Sequence, residues 1–376
     1  MPRNEIIMGI VLNQSLKNTI ITYLGFGIGA INTLYLYPFF LGTVFYALTN
    51  YILSWANIIM PLLAFGMQNT LVKFYTQYKT EEERSKFLSF TVLIPLLLCI
   101  PLALIGLFFF EPIALYLSKE NPVVKDYLWL IPFIGLSMAY FEIFYAWARV
   151  HMHSVFGNFI KEVGLRLFSL FALIGVYYKW ITVAEFIYVT ALIYFLAFIV
   201  TMFYAFRIKK PVFQFSIPQN VNDVLVYTFF IILSGSVAVM LLDIDKIMLN
   251  QYIKIDNIAY YSVATYIASV IAVPSRAMHQ ITYPITAKLM HEDKHDALND
   301  LYKKTSINLQ VVGGFVMLCI FVNINQLYVM VPKEYSGGIL VVFLIGISKY
   351  FDLILGNNNA IIFNSKSYRM VLFLGL

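Results

Sequence analysis

The residues of this chain whose chemistry stands out are charges placed inside apolar runs. Glu142 lies within one run, with Arg149 and Arg166 flanking the turn that follows it. Asp243, Asp245 and Lys246 stand together toward the end of another, and Arg276, followed by His279 and Gln280, is bracketed by Pro274 and Pro284 in a third. Lys349 and Asp352 are three apart, which puts them on one helical face. A charge in the middle of a bilayer costs about 2.5–3.5 kcal/mol on insertion scales, so such side chains belong in a protein interior or a wet cavity. Arg149, Arg166, Arg276 and Lys349 are therefore candidates to bind an anion, because a guanidinium matches phosphate geometry through paired hydrogen bonds. Glu142, Asp352, Asp243 and Asp245 are candidates to couple movement to an ion. Each has a plainer reading beside it. Lys349 and Asp352 would neutralise each other, Asp243, Asp245 and Lys246 would form a solvated helix end, and Arg149 and Arg166 would follow from topology alone.

Other chemistry is not signalled. There is no His-Glu-x-x-His, no phosphate loop closed by Gly-Lys-Ser/Thr and no Gly-x-Ser-x-Gly, so neither a metalloprotease, a nucleotide hydrolase nor a serine hydrolase is indicated. Gly25-Phe26-Gly27-Ile28-Gly29 resembles a dinucleotide fingerprint but sits inside an apolar run, where Gly25 and Gly29 form a small-residue face for helix packing. His151 and His153, two apart, do not share a helical face and read as interfacial residues. Cys99 and Cys319 read as apolar filler. No metal or cofactor is expected, apart from a coupling ion.

The elements that must position these residues follow from composition. Hydrophobic residues make up 60% of 376 and charged residues 12%, with a mean hydropathy of +0.77. A soluble domain carries about twice that charge density. The apolar residues come in blocks of about 20, long enough to cross a bilayer as helices. The chain is predicted to be an all-α polytopic membrane protein, and its net charge of +6 belongs to topology rather than to nucleic acid. No cleavable signal follows the first apolar run, and Met8 is an alternative start to Met1.

Spans are predicted at about 18–40, 46–72, 87–110, 127–148, 163–180, 184–206, 224–249, 258–285, 305–331 and 339–363, with an eleventh opening at 370. Alternating sides then put nineteen of the 26 Lys and Arg on one face and six on the other, with Lys349 inside a span. That bias places the N-terminus and the 73–86, 149–166, 207–223, 286–304 and 364–369 loops in the cytoplasm. Short loops leave no room for an inserted catalytic domain. The 207–223 connection carries Pro211 and Pro218 and divides the chain into a cytoplasmic segment 1–17, a six-helix lobe 18–206, a linker 207–223 and a second lobe 224–376. Aromatic residues are abundant, with 27 Tyr and 33 Phe. Tyr35, Tyr37, Tyr46, Tyr51 and Trp55 fit either an interfacial belt or a path along which sugar rings stack.

The halves read as copies. Shifted by 215, Phe45-Tyr46-Ala47-Leu48-Thr49-Asn50-Tyr51-Ile52 falls on Tyr260-Tyr261-Ser262-Val263-Ala264-Thr265-Tyr266-Ile267, Lys73 falls on Lys288, and Lys79 on Lys294. Pro61 and Pro274 break the same apolar run two residues out of register. Two similar halves framing a central site is a transporter construction. A second half as long as the first would run past Leu376, so the chain is expected to be C-terminally truncated, with about ten complete spans and the start of an eleventh.

These motifs resemble the lipid-linked oligosaccharide flippases, the O-antigen (Wzx-type) transporters of the multidrug/oligosaccharidyl-lipid/polysaccharide exporter superfamily. The resemblance rests on Gln14-Ser15-Leu16-Lys17-Asn18-Thr19, Phe45-Tyr46-Ala47-Leu48, Asp245-Lys246-Ile247-Met248-Leu249, Ala259-Tyr260-Tyr261-Ser262-Val263-Ala264 and Tyr283-Pro284. Tyr260 stands where that family has glycine. The resemblance implies a MATE-like two-lobe helical bundle in the bacterial cytoplasmic membrane. It implies alternating access and translocation of an undecaprenyl-diphosphate-linked oligosaccharide, with basic residues meeting the diphosphate. It also implies membrane lipids, a glycan polymerase and glycosyltransferases as partners. With no ATP motif, a proton or sodium gradient or consumption of the product would drive it. The competing functions are a multidrug/cation antiporter of the same superfamily and a membrane-bound glycan polymerase.

Overall fold

In hydrocarbon every backbone donor and acceptor must be satisfied within the protein, and long apolar runs do so as helices. A computed structural model describes residues 3–212, 217–218 and 220–364, which fold into helices joined by short turns. Helix α1 (Arg3–Ile31) passes through a π-helical turn, Asn32–Leu36, into α2 (Tyr37–Phe40). Then come α3 (Gly42–Leu63), α4 (Met67–Phe74), α5 (Glu81–Phe108), α6 (Phe110–Leu117), α7 (Leu130–Val150), α8 (Ser154–Phe159), α9 (Leu165–Tyr177) and α10 (Val183–Ile208). The remainder is α11 (Val221–Tyr252), α12 (Asp256–Ser269), α13 (Val273–His291), α14 (His295–Val322), α15 (Ile324–Val329), α16 (Ile339–Ile354) and α17 (Asn358–Asn364). Among the described residues seven helices are long and apolar enough to cross a membrane, or eight if α3 and α4 are one span bent by 45°. This is a multi-pass membrane protein.

Two predicted spans are broken. The run at 46–72 divides because Pro61 lacks the donor that would continue the ladder and Gly66 takes a left-handed φ of 61°. The run at 339–363 stops at Ile354, where Gly356 at φ 57° ends the helix before α17 begins. The loops predicted at 73–86 and 286–304 are mostly helix. A capping box in which Thr80 and Glu83 satisfy each other's backbone donors starts α5 at Glu81, and α13 continues to His291. Hydropathy marks only the part of a helix that lies in hydrocarbon, so these polar helix ends were read as loops.

The order of elements repeats. Helices α5 and α14 are both 28 residues long and begin 214 residues apart, at 81 and 295. One residue after each comes a short helix, α6 or α15, then a 3-10 turn, Pro122–Tyr127 or Lys333–Gly338, then the long apolar helix α7 or α16.

Packing groups the chain into two compact units, one within Met1–Thr43 and Ala259–Leu374, the other Val44–Ile258. Lipid is as apolar as a leucine side chain, so interlocking shape rather than water exclusion holds such helices together. In the Val44–Ile258 unit the core is aromatic, with Phe87, Phe90, Phe144 and Trp147 buried together. Phe144 meets Phe206 edge-on at 5.3 Å and Phe198 stacked at 6.1 Å. In the other unit α1 packs on α13. Gly25 and Gly29 are buried while Gly27 between them is exposed, as a small-residue packing face requires.

Candidate functional site

The first cluster lies in the Val44–Ile258 unit, on α7, α8 and α9. Helix α7 carries Glu142, and a π-helical turn, Ile160–Gly164, joins α8 to α9. A π turn widens the helix by one residue and often marks a functional site. Lys161 leaves that turn to put its Nζ 2.5 Å from Glu142 Oε1, and the carboxylate is largely buried. Arg149, in the last turn of α7, lays its guanidinium over the Tyr145 ring at 4.8 Å. Its Nε is buried with no hydrogen-bond partner. Arg166 pairs with Glu162, four residues earlier, at 2.8 Å. The structure thus brings together Glu142, Arg149 and Arg166 with Lys161 and Glu162, which belong in sequence to the 149–166 loop.

The second cluster belongs to the same unit. Asp243 is buried rather than solvated. Its Oδ1 accepts from Ser54 Oγ at 2.9 Å and pairs with Lys246 Nζ at 2.8 Å, while Asn57 Nδ2 donates to Oδ2 at 3.2 Å. A buried carboxylate is tolerable only when its lone pairs are filled, and here an ammonium and two neutral donors fill them. Asp245 accepts from the Lys246 backbone N–H at 2.8 Å. Ser54 and Asn57, three apart on α3, were not singled out from the sequence. Two polar residues at helical spacing inside an apolar run were the available signal.

In the other unit, Arg276 is exposed on α13 with its guanidinium over the Phe26 ring of α1 at 4.9 Å. From α12, Tyr266 donates to the Phe26 carbonyl at 2.6 Å. Asn357, buried at the break between α16 and α17, accepts from Thr282 Oγ1 at 3.2 Å and donates to Thr286 Oγ1. Lys349 and Asp352 do share a face, at 3.8 Å, with the aspartate side chain exposed. They lie in the last turns of α16, not at mid-span, because the helix stops at Ile354. Side chains of Gln280 and Pro284 fall outside the described residues.

His151 donates or accepts at two fixed points, Nδ1 at 2.8 Å from the Trp147 carbonyl and Nε2 at 3.0 Å from the Tyr75 hydroxyl. A carbonyl only accepts, so Nδ1 carries the proton. Beyond the bent span, burial pushes the Tyr78 phenol up to about 12, against the bond it donates to Asn220 at 2.7 Å. Of the aromatic residues read as belt or sugar path, Tyr46 and Tyr51 are fully buried and do neither, while Tyr35 is exposed beside Phe39. Among the described residues no group of His, Cys, Asp and Glu could hold a metal ion.

Bent and interrupted membrane helices with charges fixed between them define the class, a polytopic helical membrane protein. A solved structure titled "Lipid II flippase MurJ, inward closed conformation" matches with a TM-score of 0.71 at 14% identity, covering 96% of this chain and 78% of that one. A second, an inward-facing multidrug resistance MATE family transporter of the MOP superfamily, matches with a TM-score of 0.58 at 13% identity, covering 95% and 83%. These likenesses establish the fold. The chain belongs to the polysaccharide biosynthesis protein family, whose sequence profile matches residues 12–290. No curated protein matches it.

Proposed function

We propose that this protein is a flippase that carries a lipid-linked oligosaccharide across the bacterial cytoplasmic membrane by alternating access, as two lobes, 18–206 and 224–376, divided at 207–223. The family and the MurJ-like fold support the class. The observation that carries the cargo is Arg276. An exposed guanidinium seated on an aromatic ring where α1 packs on α13 offers the planar, charged donor set that suits a diphosphate. Arg149 and Arg166 supply further positive charge in their own unit, and Lys349 does so on α16.

Of the four candidate carboxylates, Glu142 and Asp243 are each engaged by a lysine at 2.8 Å or less. Asp352 is exposed and only loosely paired, which makes it the better candidate to exchange a proton or sodium ion. Glycosyltransferases would supply the cargo on the cytoplasmic side and a glycan polymerase would consume it outside. The test replaces Arg149, Arg276 and Lys349 singly with Ala and measures surface glycan and drug tolerance in cells. Loss of surface glycan with unchanged drug tolerance supports the flippase. Intact glycan with lost drug tolerance identifies an antiporter instead.

A further inference from the structure

The Val44–Ile258 unit joins segments from both halves of the chain, and one side chain does a disproportionate share of the joining. Asn121 sits in the connection between α6 and α7 and is 6% exposed. Its Nδ2 lies 2.9 Å from the Asn250 carbonyl, 3.1 Å from Asn250 Oδ1 and 3.1 Å from the Ile253 carbonyl. Its Oδ1 accepts from the Ile255 N–H at 2.9 Å. Asn250 answers by donating from its own Nδ2 to the Leu117 carbonyl at 3.1 Å. The two carbonyls belong to the end of α11 and the turn after it, where a helix has no internal partners to offer, and Ile255 immediately precedes α12.

We propose that Asn121 is the positioning residue of the extracytoplasmic gate, fastening the α6–α7 connection to the α11–α12 turn while the transporter is closed to the outside. The inference rests on the alternating-access reading above, since a gate is needed only if the two halves part. Three features make the contact suited to opening rather than to permanent assembly. It crosses between chain halves. Three of its four partners are backbone groups at or beside helix ends, which water satisfies as well as an amide does once the gate opens. Each hydrogen bond contributes only modestly once that exchange is counted, so a handful of them biases a two-state equilibrium without freezing it. Ser54 and Asn57 on α3 likewise reach across the chain halves to Asp243 on α11, and these contacts would part in the same movement.

The test is cysteine accessibility in whole cells. Cys99 and Cys319 are first replaced by Ala. Ile255→Cys then reports the gate, and Ile187→Cys, buried near the outer end of α10 in the same unit, reports general loosening. Both are probed with a membrane-impermeant maleimide added from outside. Adding Asn121→Ala should raise labelling at Ile255→Cys about tenfold, the effect of losing roughly two hydrogen bonds, with Ile187→Cys as protected as before. Labelling that is unchanged, that rises at both positions together, or that occurs only when the reagent reaches the cytoplasmic side overturns the proposal. If Asn121→Ala fails to reach the membrane, Asn250→Ala decides by the same criteria. The readout is independent of cargo. Loss of the flippase reading would leave the labelling pattern standing, and an absent pattern with normal surface glycan would remove the gate and keep the flippase.

Discussion

Glu142 Oε1 and Lys161 Nζ stand 2.5 Å apart across α7 and the π turn before α9, so a carboxylate inside a membrane span is neutralised by a lysine from the turn after it. Removing one member of a buried pair leaves an uncompensated charge. Glu142→Gln should lower the stability of the purified protein by about 1–2 kcal/mol, less than for a fully buried pair because the lysine is half exposed. The exchange Glu142→Lys with Lys161→Glu should recover most of the loss, as read from thermal unfolding in detergent. Recovery of stability without recovery of transport would show that the carboxylate has a role beyond pairing.

Asp243 makes a stricter case, because both it and Lys246 are mostly buried. Asp243→Ala alone should be destabilising by about 3 kcal/mol, since it strands the ammonium, and the double change with Lys246→Ala should cost less than Asp243→Ala alone. A double-mutant cycle by chemical unfolding measures this. Simple additivity of the two single changes would mean that the pair is not coupled.

Much of the architecture was legible in the sequence. Blocks of apolar residues gave the helices, and the match of Tyr46 with Tyr261 and Tyr51 with Tyr266 gave a repeat that reappears as the paired 28-residue helices α5 and α14. What escaped was set by local backbone geometry and by partners distant in the chain. Hydropathy runs smoothly across Gly66 and Gly356, whose left-handed φ breaks two spans. Asp243 reads in sequence as a solvated helix end because two of its three donors, Ser54 and Asn57, lie almost 190 residues away. The Gly-Asn-Asn-Asn run at 356–359 was a readable stop signal for α16 that went unused.

Gly157 tests how Arg149 is held. A Cβ at that position would lie 2.2 Å from Tyr145 Cδ2. Gly157→Ala should therefore displace the ring that supports Arg149, at a cost of about 1–3 kcal/mol, and should reduce surface glycan more than an equally destabilising core change elsewhere. Equal losses from the two changes would reduce the effect to general instability.

Tyr78 gives a pH dependence. Its phenol is raised by burial from 10.0 to about 12, so the neutral form is favoured in the folded state. The stability it contributes is fully present below the unfolded value and is lost as pH rises through the folded one. Between about pH 10 and about pH 12, Tyr78→Phe should lose less Tm than the parent protein. A parallel decline in both would show that Tyr78 is as accessible in the folded protein as in the unfolded chain.

The central claim is movement of a lipid-linked sugar between leaflets. The direct measurement reconstitutes the purified protein in liposomes carrying undecaprenyl-diphosphate-linked oligosaccharide and adds a membrane-impermeant glycosidase outside. The account predicts that the protected, inner-leaflet pool becomes cleavable when the protein is present and stays protected with Arg276→Ala. An inner pool that remains protected with the parent protein, in vesicles shown to contain it folded, would contradict it.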